Sequence, residues 1–204
     1  MDSVNTELHI FRSPEFRSVV EEAIAFFEGT PVLELPPPGP FTGCGVYALY
    51  YLGDLELYAK AARLNQDTCT LPIYVGKAVP PGWRAARVAF TERKSLYGRL
   101  GEHTRSIQRA RNLQVGDFCC RFIILQKVET DLVVPLEAAL IRKYRPLWNS
   151  VVDGFGNHDP GRGRYNQARS EWDVLHPGRP WADRLKWEPP SLAETIKKVQ
   201  DYLD

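Results

Sequence analysis

Two short segments, GVYALYYLG at residues 45–53 and LPIYVGKA at residues 71–78, decide the fold of this chain. Both are rich in the β-branched and aromatic residues that favour strands, and each combines a tyrosine with a glycine. Because side chains alternate between the faces of a strand, Tyr47 leaves the face opposite to Val46, and Tyr74 the face opposite to Val75. If the strands pair, the two phenols stand on one face of a small sheet. Tyrosine is also a common strand residue, so either segment alone is compatible with ordinary packing.

A helix is predicted over the segment KSLYGRLGEHTRSIQRARN, residues 94–112. Apolar residues recur at helical spacing between Ser95, a suitable N-cap, and Asn112, where the pattern ends. Arg99 and His103 lie four residues apart and therefore share one face, which points inward because its neighbours are apolar. A histidine on such a face is usually a hydrogen-bonded core residue. With an arginine one turn away, the pair instead favours an anionic ligand.

A second helix is predicted over VVPLEAALIRKYRPLWN, residues 133–149, with Pro135 in its first turn. Glu137 falls on the apolar stripe, where a carboxylate is costly unless it is paired, caps the helix or binds a metal ion. A favourable interaction with the helix dipole is the alternative explanation. Asn149 follows at the helix exit, where a residue of this type is unremarkable.

Six residues reproduce, in order, the motif set of the GIY-YIG nuclease superfamily: Tyr47, Tyr74, Arg99, His103, Glu137 and Asn149. The chain resembles this superfamily over residues 43–150, with valine in place of isoleucine in both name-giving tripeptides. The run GFGNHDPGRGRYNQARSEWDVLHPGR, residues 154–179, is similar to that of the superfamily's type II restriction endonucleases that cut CCGCGG. The resemblance implies an α+β fold, in which helices flank a small antiparallel β-sheet and helical and loop insertions elaborate the core.

For the chemistry, the resemblance implies that Tyr47 activates the attacking water. A tyrosine ordinarily titrates near 10, so this role needs nearby cations or a proton acceptor, and His103 is the natural acceptor. Lys77, directly after the second motif, is a further candidate for lowering the pKa of the phenol. Which of Tyr47 and His103 finally holds the proton stays open.

The remaining residues supply charge and orientation. Glu137 is the predicted ligand of one Mg²⁺ ion per site, because this ion needs few protein ligands and also takes phosphate oxygens. Arg99 is predicted to stabilise the phosphate charge with its planar fork. Tyr74 is predicted to position water or phosphate, and Asn149 to orient groups around the site.

The net charge of +1 hides a segregation along the chain. Residues 1–60 carry three basic and nine acidic side chains, whereas residues 61–121 carry eleven basic and four acidic ones. A concentrated basic stretch suits double-stranded DNA, since neutralising phosphates supplies affinity for any sequence, although a solvated charged face is the alternative. The predicted phosphate contacts are Arg84, Arg87, Arg93, Arg105 and Arg109. The predicted base readers are Asn157, His158, Arg162 and Arg164.

We expect a single domain over residues 1–204, with an N-terminal helix and proline hinge at 1–42, the core at 43–150, and DNA-contacting loops and a C-terminal helix at 151–204. No segment has the length or composition of a signal peptide or membrane span, and the four cysteines offer no CxxC spacing. These features predict a cytoplasmic protein that needs no membrane and no organic cofactor.

A palindromic target predicts a homodimer, with the insertion at 54–72 and the acidic N-terminal helix as candidate contact surfaces. The competing interpretations are a structure-specific or repair nuclease and a DNA-binding module that does not cleave. The complete catalytic set favours a nuclease, because binding alone does not require Glu137 on a buried stripe.

Overall fold

Strands β1 (Leu33–Glu34), β2 (Cys44–Tyr51), β3 (Tyr74–Ala78) and β4 (Phe118–Leu125) form one antiparallel sheet. The computed structural model describes residues 4–79 and 94–204. The spatial order is β1-β4-β2-β3, so the fully buried β2 lies inside the sheet and β3 lies at its edge. The two tyrosine segments pair as β2 and β3. The predicted antiparallel sheet flanked by helices is therefore confirmed.

The helices are α1 (Pro14–Gly29), α2 (Ala59–Asn65), α3 (Ser95–Arg109), α4 (Val133–Tyr144), α5 (Leu147–Ser150), α6 (Glu171–Leu175) and α7 (Leu192–Leu203). Short 3-10 helices span Thr6–His9, Glu56–Tyr58, Val115–Asp117, Lys127–Leu132 and Ala182–Arg184. Within the described ranges, every helix is too short or too polar to cross a membrane.

Side-chain caps fix the ends of the outer helices. The Ser13 hydroxyl accepts a hydrogen bond from the Phe16 amide at 3.1 Å, and the Ser191 hydroxyl accepts one from the Glu194 amide at 3.3 Å. These two caps agree with the sequence pattern. At α3 the structure differs, because Ser95 is the first helical residue and Lys94 takes the cap position without a side-chain hydrogen bond.

The sheet separates two apolar cores, because alternate residues of β2 point to opposite faces. Tyr47 and Leu49 pack with α2, α3 and the helices after residue 147, whereas Val46 and Ala48 pack with α1 and α4. The helices on the two faces therefore both reach the edge strand β3. This arrangement lets side chains from either face meet around one open edge.

Candidate active site

The two motif tyrosines project from neighbouring strands onto the same face of the sheet. Tyr47 lies opposite Gly76 in the β2–β3 pair, and the ring centroids of Tyr47 and Tyr74 are 6.2 Å apart. Gly76 makes room for both rings, because a Cβ atom there would lie 2.5 Å from the Tyr47 hydroxyl oxygen and 2.9 Å from Tyr74 Cε1. Any larger residue at position 76 would displace a phenol.

Tyr47 and His103 form a buried hydrogen-bonded pair. Tyr47 Oη and His103 Nε2 are 2.5 Å apart. Burial raises the pKa of the Tyr47 phenol well above its usual value of 10.0, and the neighbouring Tyr74 acts in the same direction. Burial likewise lowers the pKa of His103 well below 6.5, and the positive charge of Arg99 lowers it further. Both groups are therefore neutral near neutral pH, and His103 Nε2 can accept the phenolic proton.

Arg99 lies one turn before His103 on α3 and is held in a fixed orientation. Its Nη1 donates to Glu102 Oε2 and to His158 Nε2, at 2.7 Å each, and its Nη2 donates to the Gly156 carbonyl at 3.1 Å. The side chain is 20% exposed, so part of the guanidinium remains open to an anion. The arrangement provides a positioned cation beside the Tyr47–His103 pair.

Glu137 and Lys77 form an ion pair next to the phenols. Glu137 belongs to α4, Lys77 follows Gly76 on β3, and the Lys77 ammonium donates to Glu137 Oε2. Burial is the main cause of the raised pKa of Tyr74, and the Glu137 charge acts in the same direction. The carboxylate therefore lies within electrostatic reach of the motif tyrosines. Lys77 was predicted to lower the pKa of Tyr47. It contacts the Glu137 carboxylate, and the pKa of Tyr47 is raised.

The donor set around Glu137 fits a magnesium ion. In the part of the chain that the structure describes, no three His, Cys, Asp or Glu side chains cluster as metal ligands, so the candidate ligand is the single carboxylate of Glu137. One carboxylate suffices for Mg²⁺, because this ion retains several waters and takes phosphate oxygens as ligands. Glu137 is not fully buried, because 16% of its side chain is exposed, and this opening leaves space for such ligands.

Asn149 holds the open edge of β3. Its side-chain Oδ1 accepts from the Val75 amide and its Nδ2 donates to the Val75 carbonyl, at 2.8 Å each. The amide thus replaces one residue of a neighbouring strand and satisfies two backbone groups that an edge strand would otherwise leave unpaired. Because Val75 separates Tyr74 from Gly76, Asn149 fixes the strand that presents the phenols.

A loop at residues 154–158 covers the site. The Phe155 ring stacks on the His103 imidazole, with centroids 4.5 Å apart and an interplanar angle of 17°. The Gly156 backbone approaches Tyr74 so closely that a Cβ atom would lie 2.9 Å from its hydroxyl oxygen. His158, predicted as a base reader, contacts Arg99. The loop therefore contacts three of the six motif residues.

The predicted DNA contacts lie at several places. Arg105 and Arg109 are exposed on α3, and Arg162 and Arg164 are exposed in the loop that follows His158. Asn157 and His158 also line a polar groove of about 480 Å³, together with residues from the 167–185 segment. Three of the predicted phosphate contacts, Arg84, Arg87 and Arg93, lie outside the described residues.

Sequence reasoning missed Phe155 and Glu102, which contact His103 and Arg99, and Arg179, which bonds to the loop beside them. Arg179 is buried and bonds to the backbone of the 154–158 loop. The available signal was the arginine between glycine and proline in HPGRPW, beside several tryptophans, since a lone arginine among aromatic residues often stacks on them. Its carbonyl partners have no signature in sequence.

The chain is similar to a known protein family. Residues 39–203 match the family model described as the Eco29kI GIY-YIG domain. No curated protein matches the chain. The match includes all six motif residues and continues through the 154–158 loop to the end of α7.

Proposed function

The chain belongs to the Eco29kI GIY-YIG family of nucleases, and on this premise we propose that it is a type II restriction endonuclease. It would hydrolyse double-stranded DNA at a GC-rich palindrome in a Mg²⁺-dependent reaction. The sequence resemblance makes CCGCGG the first candidate target. The observation that supports the chemistry best is the buried Tyr47–His103 hydrogen bond, whose phenol feels the charges of both Arg99 and Glu137.

In the proposed reaction, Tyr47 and His103 move the proton of the attacking water. The water donates a proton to the phenolic oxygen as Tyr47 transfers its own proton to His103 Nε2. Coupling the two transfers avoids a buried phenolate, which the raised pKa of Tyr47 makes unfavourable. The lowered pKa of His103 keeps the acceptor neutral before the reaction.

Arg99 and Glu137 act on the charge of the phosphate in this proposal. Arg99 would donate to the equatorial phosphate oxygens, where its fixed fork stabilises charge that develops in the transition state. Glu137 would hold the divalent ion, with Lys77 moving from the carboxylate toward the substrate. The bound ion would supply Lewis-acid stabilisation of the phosphate and leaving-group oxygens. Tyr74 would position the water.

We also propose that two chains act together on a palindrome. The outer face of α1 keeps large apolar side chains in solvent, with Phe16 52% and Phe26 64% exposed, which supports α1 as a contact surface. Sedimentation of the protein on one cognate duplex tests this assembly. Two chains per duplex are expected, and one chain that cuts both strands would refute the dimer.

Incubation with plasmid DNA tests the function. Discrete fragments with Mg²⁺, and none with a chelator, are the expected result. Smeared products would instead indicate a structure-specific or repair nuclease, and a mobility shift without cleavage would indicate a binding module. Digestion of a plasmid that lacks CCGCGG, beside one that contains it, tests the candidate target.

Glu137→Gln provides the matched catalytic control. The variant keeps the size of the side chain but removes its charge, so cleavage should be abolished while DNA binding stays within about tenfold. Retained Mg²⁺-dependent cleavage would show that the ion is held elsewhere.

A further inference from the structure

Arg179 is a buried arginine whose donors all converge on one loop and one carboxylate. The side chain is 1% exposed, and its Nε donates to Asp173 Oδ1 at 2.6 Å. Its Nη2 donates to the Gly154 carbonyl at 2.9 Å, and its Nη1 donates to the carbonyls of Phe155 and Asn157 at 3.1 and 3.3 Å. Three carbonyls within four residues are thus fixed by one guanidinium.

Two aromatic rings lie against the same guanidinium. Arg179 Cζ lies 4.4 Å from the Trp172 ring centroid and 4.7 Å from that of Trp181. Asp173 is held in turn by the Ser170 hydroxyl at 2.7 Å. A buried ion pair is often no more stabilising than apolar residues of similar volume, so stability alone gives little reason for this arrangement. Its planar, preorganised geometry defines the path of the loop.

The loop that Arg179 holds is in direct contact with the catalytic side chains. Phe155 stacks on His103, and the Gly156 carbonyl accepts from Arg99. His158, one residue beyond the last clamped carbonyl, lies 2.7 Å from Arg99 Nη1. A shift of the loop would therefore move the proton acceptor and the predicted phosphate-binding cation together.

We propose that Arg179 is a positioning residue for catalysis, which fixes the 154–158 loop and through it the imidazole of His103 and the guanidinium of Arg99. This role rests on the proposed nuclease function. The groove lined by Asn157 and His158 also includes Asp173 and Trp181, two of the Arg179 partners. The contacts of Arg179 therefore border the groove that contains two of the predicted base readers.

Arg179→Lys is the informative substitution. Lysine keeps the positive charge beside Asp173, but a single ammonium cannot reach Asp173 and three carbonyls with the geometry of the fork. A displacement of about 1 Å at reacting groups lowers a rate by about 10²-fold. We expect a single-turnover cleavage rate about 10²-fold below wild type, with the Kd for cognate DNA within about threefold. Asp173→Asn is a second variant with a smaller expected effect, because it removes the negative charge beside Arg179 and keeps the shape of the Asp173 side chain.

Tyr58→Phe is the matched control. Tyr58 is also fully buried in a polar network, with its hydroxyl bonded to His176 Nε2 at 2.6 Å and to Trp148 Nε1 at 3.1 Å, but it makes no hydrogen bond to the loop or to Arg99. This variant should lose stability without losing cleavage rate in the folded protein. Thermal unfolding of all variants gives the fraction of folded protein, so that a loss of stability can be distinguished from a loss of cleavage rate.

A second readout does not depend on cleavage. The chain has four histidines, so the imidazole ¹⁵N signals of His103 and His158 are few enough to assign by NMR. Arg179→Lys and Asp173→Asn should shift both signals, whereas Tyr58→Phe should shift that of His176.

Unchanged His103 and His158 signals in both folded variants would overturn the positioning role. An equal loss of rate in Arg179→Lys and Tyr58→Phe would do so as well. If the wild-type protein does not cleave DNA, the nuclease proposal fails and the NMR comparison alone decides the role of Arg179.

Discussion

At the scale of single residues, burial governs the proton chemistry of the site. Tyr47 and His103 share a hydrogen bond in a water-poor environment, and burial shifts the pKa of each in the direction that disfavours its charged form. The charged form of either side chain is therefore unfavourable. The pair suits a transfer in which the phenol receives one proton while it releases another.

Removal of one phenolic hydroxyl should distinguish the two motif tyrosines. Tyr47→Phe breaks the hydrogen bond to His103 and should lower the single-turnover rate by about 10²–10⁴-fold, the usual contribution of a general base. Tyr74→Phe removes a positioning group and should cost far less. Equal losses in the two variants would mean that proton transfer is assigned to the wrong residue.

The pH dependence of the reaction should reflect the lowered pKa of His103. In the proposed reaction the neutral imidazole accepts the proton, so activity should be lost only when the pH falls through the pKa of His103 in the folded protein, which burial holds well below 6.5. Single-turnover rates between about pH 5 and pH 8 test this, and we expect the rate to stay above half of its maximum at the pH where an ordinary histidine titrates. A midpoint at that value would indicate a solvent-accessible base.

At the scale of secondary-structure elements, Asn149 determines how firmly β3 is held. Asn149→Ala leaves the Val75 amide and carbonyl without their partners, so the free energy of unfolding should fall by about 1–3 kcal/mol per group left unsatisfied. Because β3 presents Tyr74, the cleavage rate of the folded protein should fall too. Urea unfolding and single-turnover assays measure the two effects.

Asn65→Ala is the control for that variant. Asn65 is a buried asparagine whose amide also bonds to backbone groups, namely those of Tyr51, Thr70 and Leu71, away from the site. It leaves four backbone groups unpaired where Asn149→Ala leaves two, so it should destabilise the protein at least as much and leave the rate of the folded fraction unchanged. A similar loss of rate in both variants would show that Asn149 acts only through stability.

The sequence predicts elements better than it predicts their contacts. Alternation identified the faces of β2 and β3, and the four-residue spacing placed Arg99 and His103 together, because both patterns depend on local geometry. The backbone partners of Asn149, and the three carbonyls that Arg179 bonds, are distant in sequence, and any residue type supplies such groups. Such contacts follow from the path of the chain, which periodicity does not specify.

At the scale of the whole molecule, buried histidines make stability depend on pH. His176 accepts from Tyr58 and contacts Asn112 Oδ1 at 2.9 Å, and burial, followed by the charge of Arg179, lowers its pKa to about 3. Below pH 6.5 the unfolded chain binds a proton that the folded protein excludes, so stability falls between about pH 6.5 and pH 3. For this residue the loss at pH 5 is about 2 kcal/mol.

Urea unfolding at about pH 7 and pH 5 tests that contribution. His176→Gln should reduce the difference between the two conditions, because glutamine does not titrate, whereas His9→Gln alters an exposed histidine and serves as the control. An unchanged pH dependence in His176→Gln would assign the effect to His103 or to other groups.

DNA affinity and DNA specificity should separate along the chain. Arg109 is exposed on α3, and its replacement by alanine should weaken binding to all sequences and reduce the salt slope by about one unit. Arg162→Ala and Arg164→Ala should each cost about 1–3 kcal/mol on the cognate duplex and relax discrimination at one base pair. Binding to cognate and single-mismatch duplexes across a salt series distinguishes them. If both loop variants bind all duplexes more weakly and to the same extent, the loop contacts phosphates and does not read bases.

The space that Gly76 leaves for the Tyr47 hydroxyl has an evolutionary consequence. Because a Cβ atom at position 76 would lie 2.5 Å from that oxygen, tyrosine at 47 and any larger residue at 76 exclude each other. A lineage that loses cleavage through a substitution at 76 gains freedom to replace Tyr47 as well. Activity then returns only if glycine is restored before tyrosine, because tyrosine alone has no room. For positions 47 and 76, on separate strands, the order of mutations thus decides whether the nuclease can be recovered.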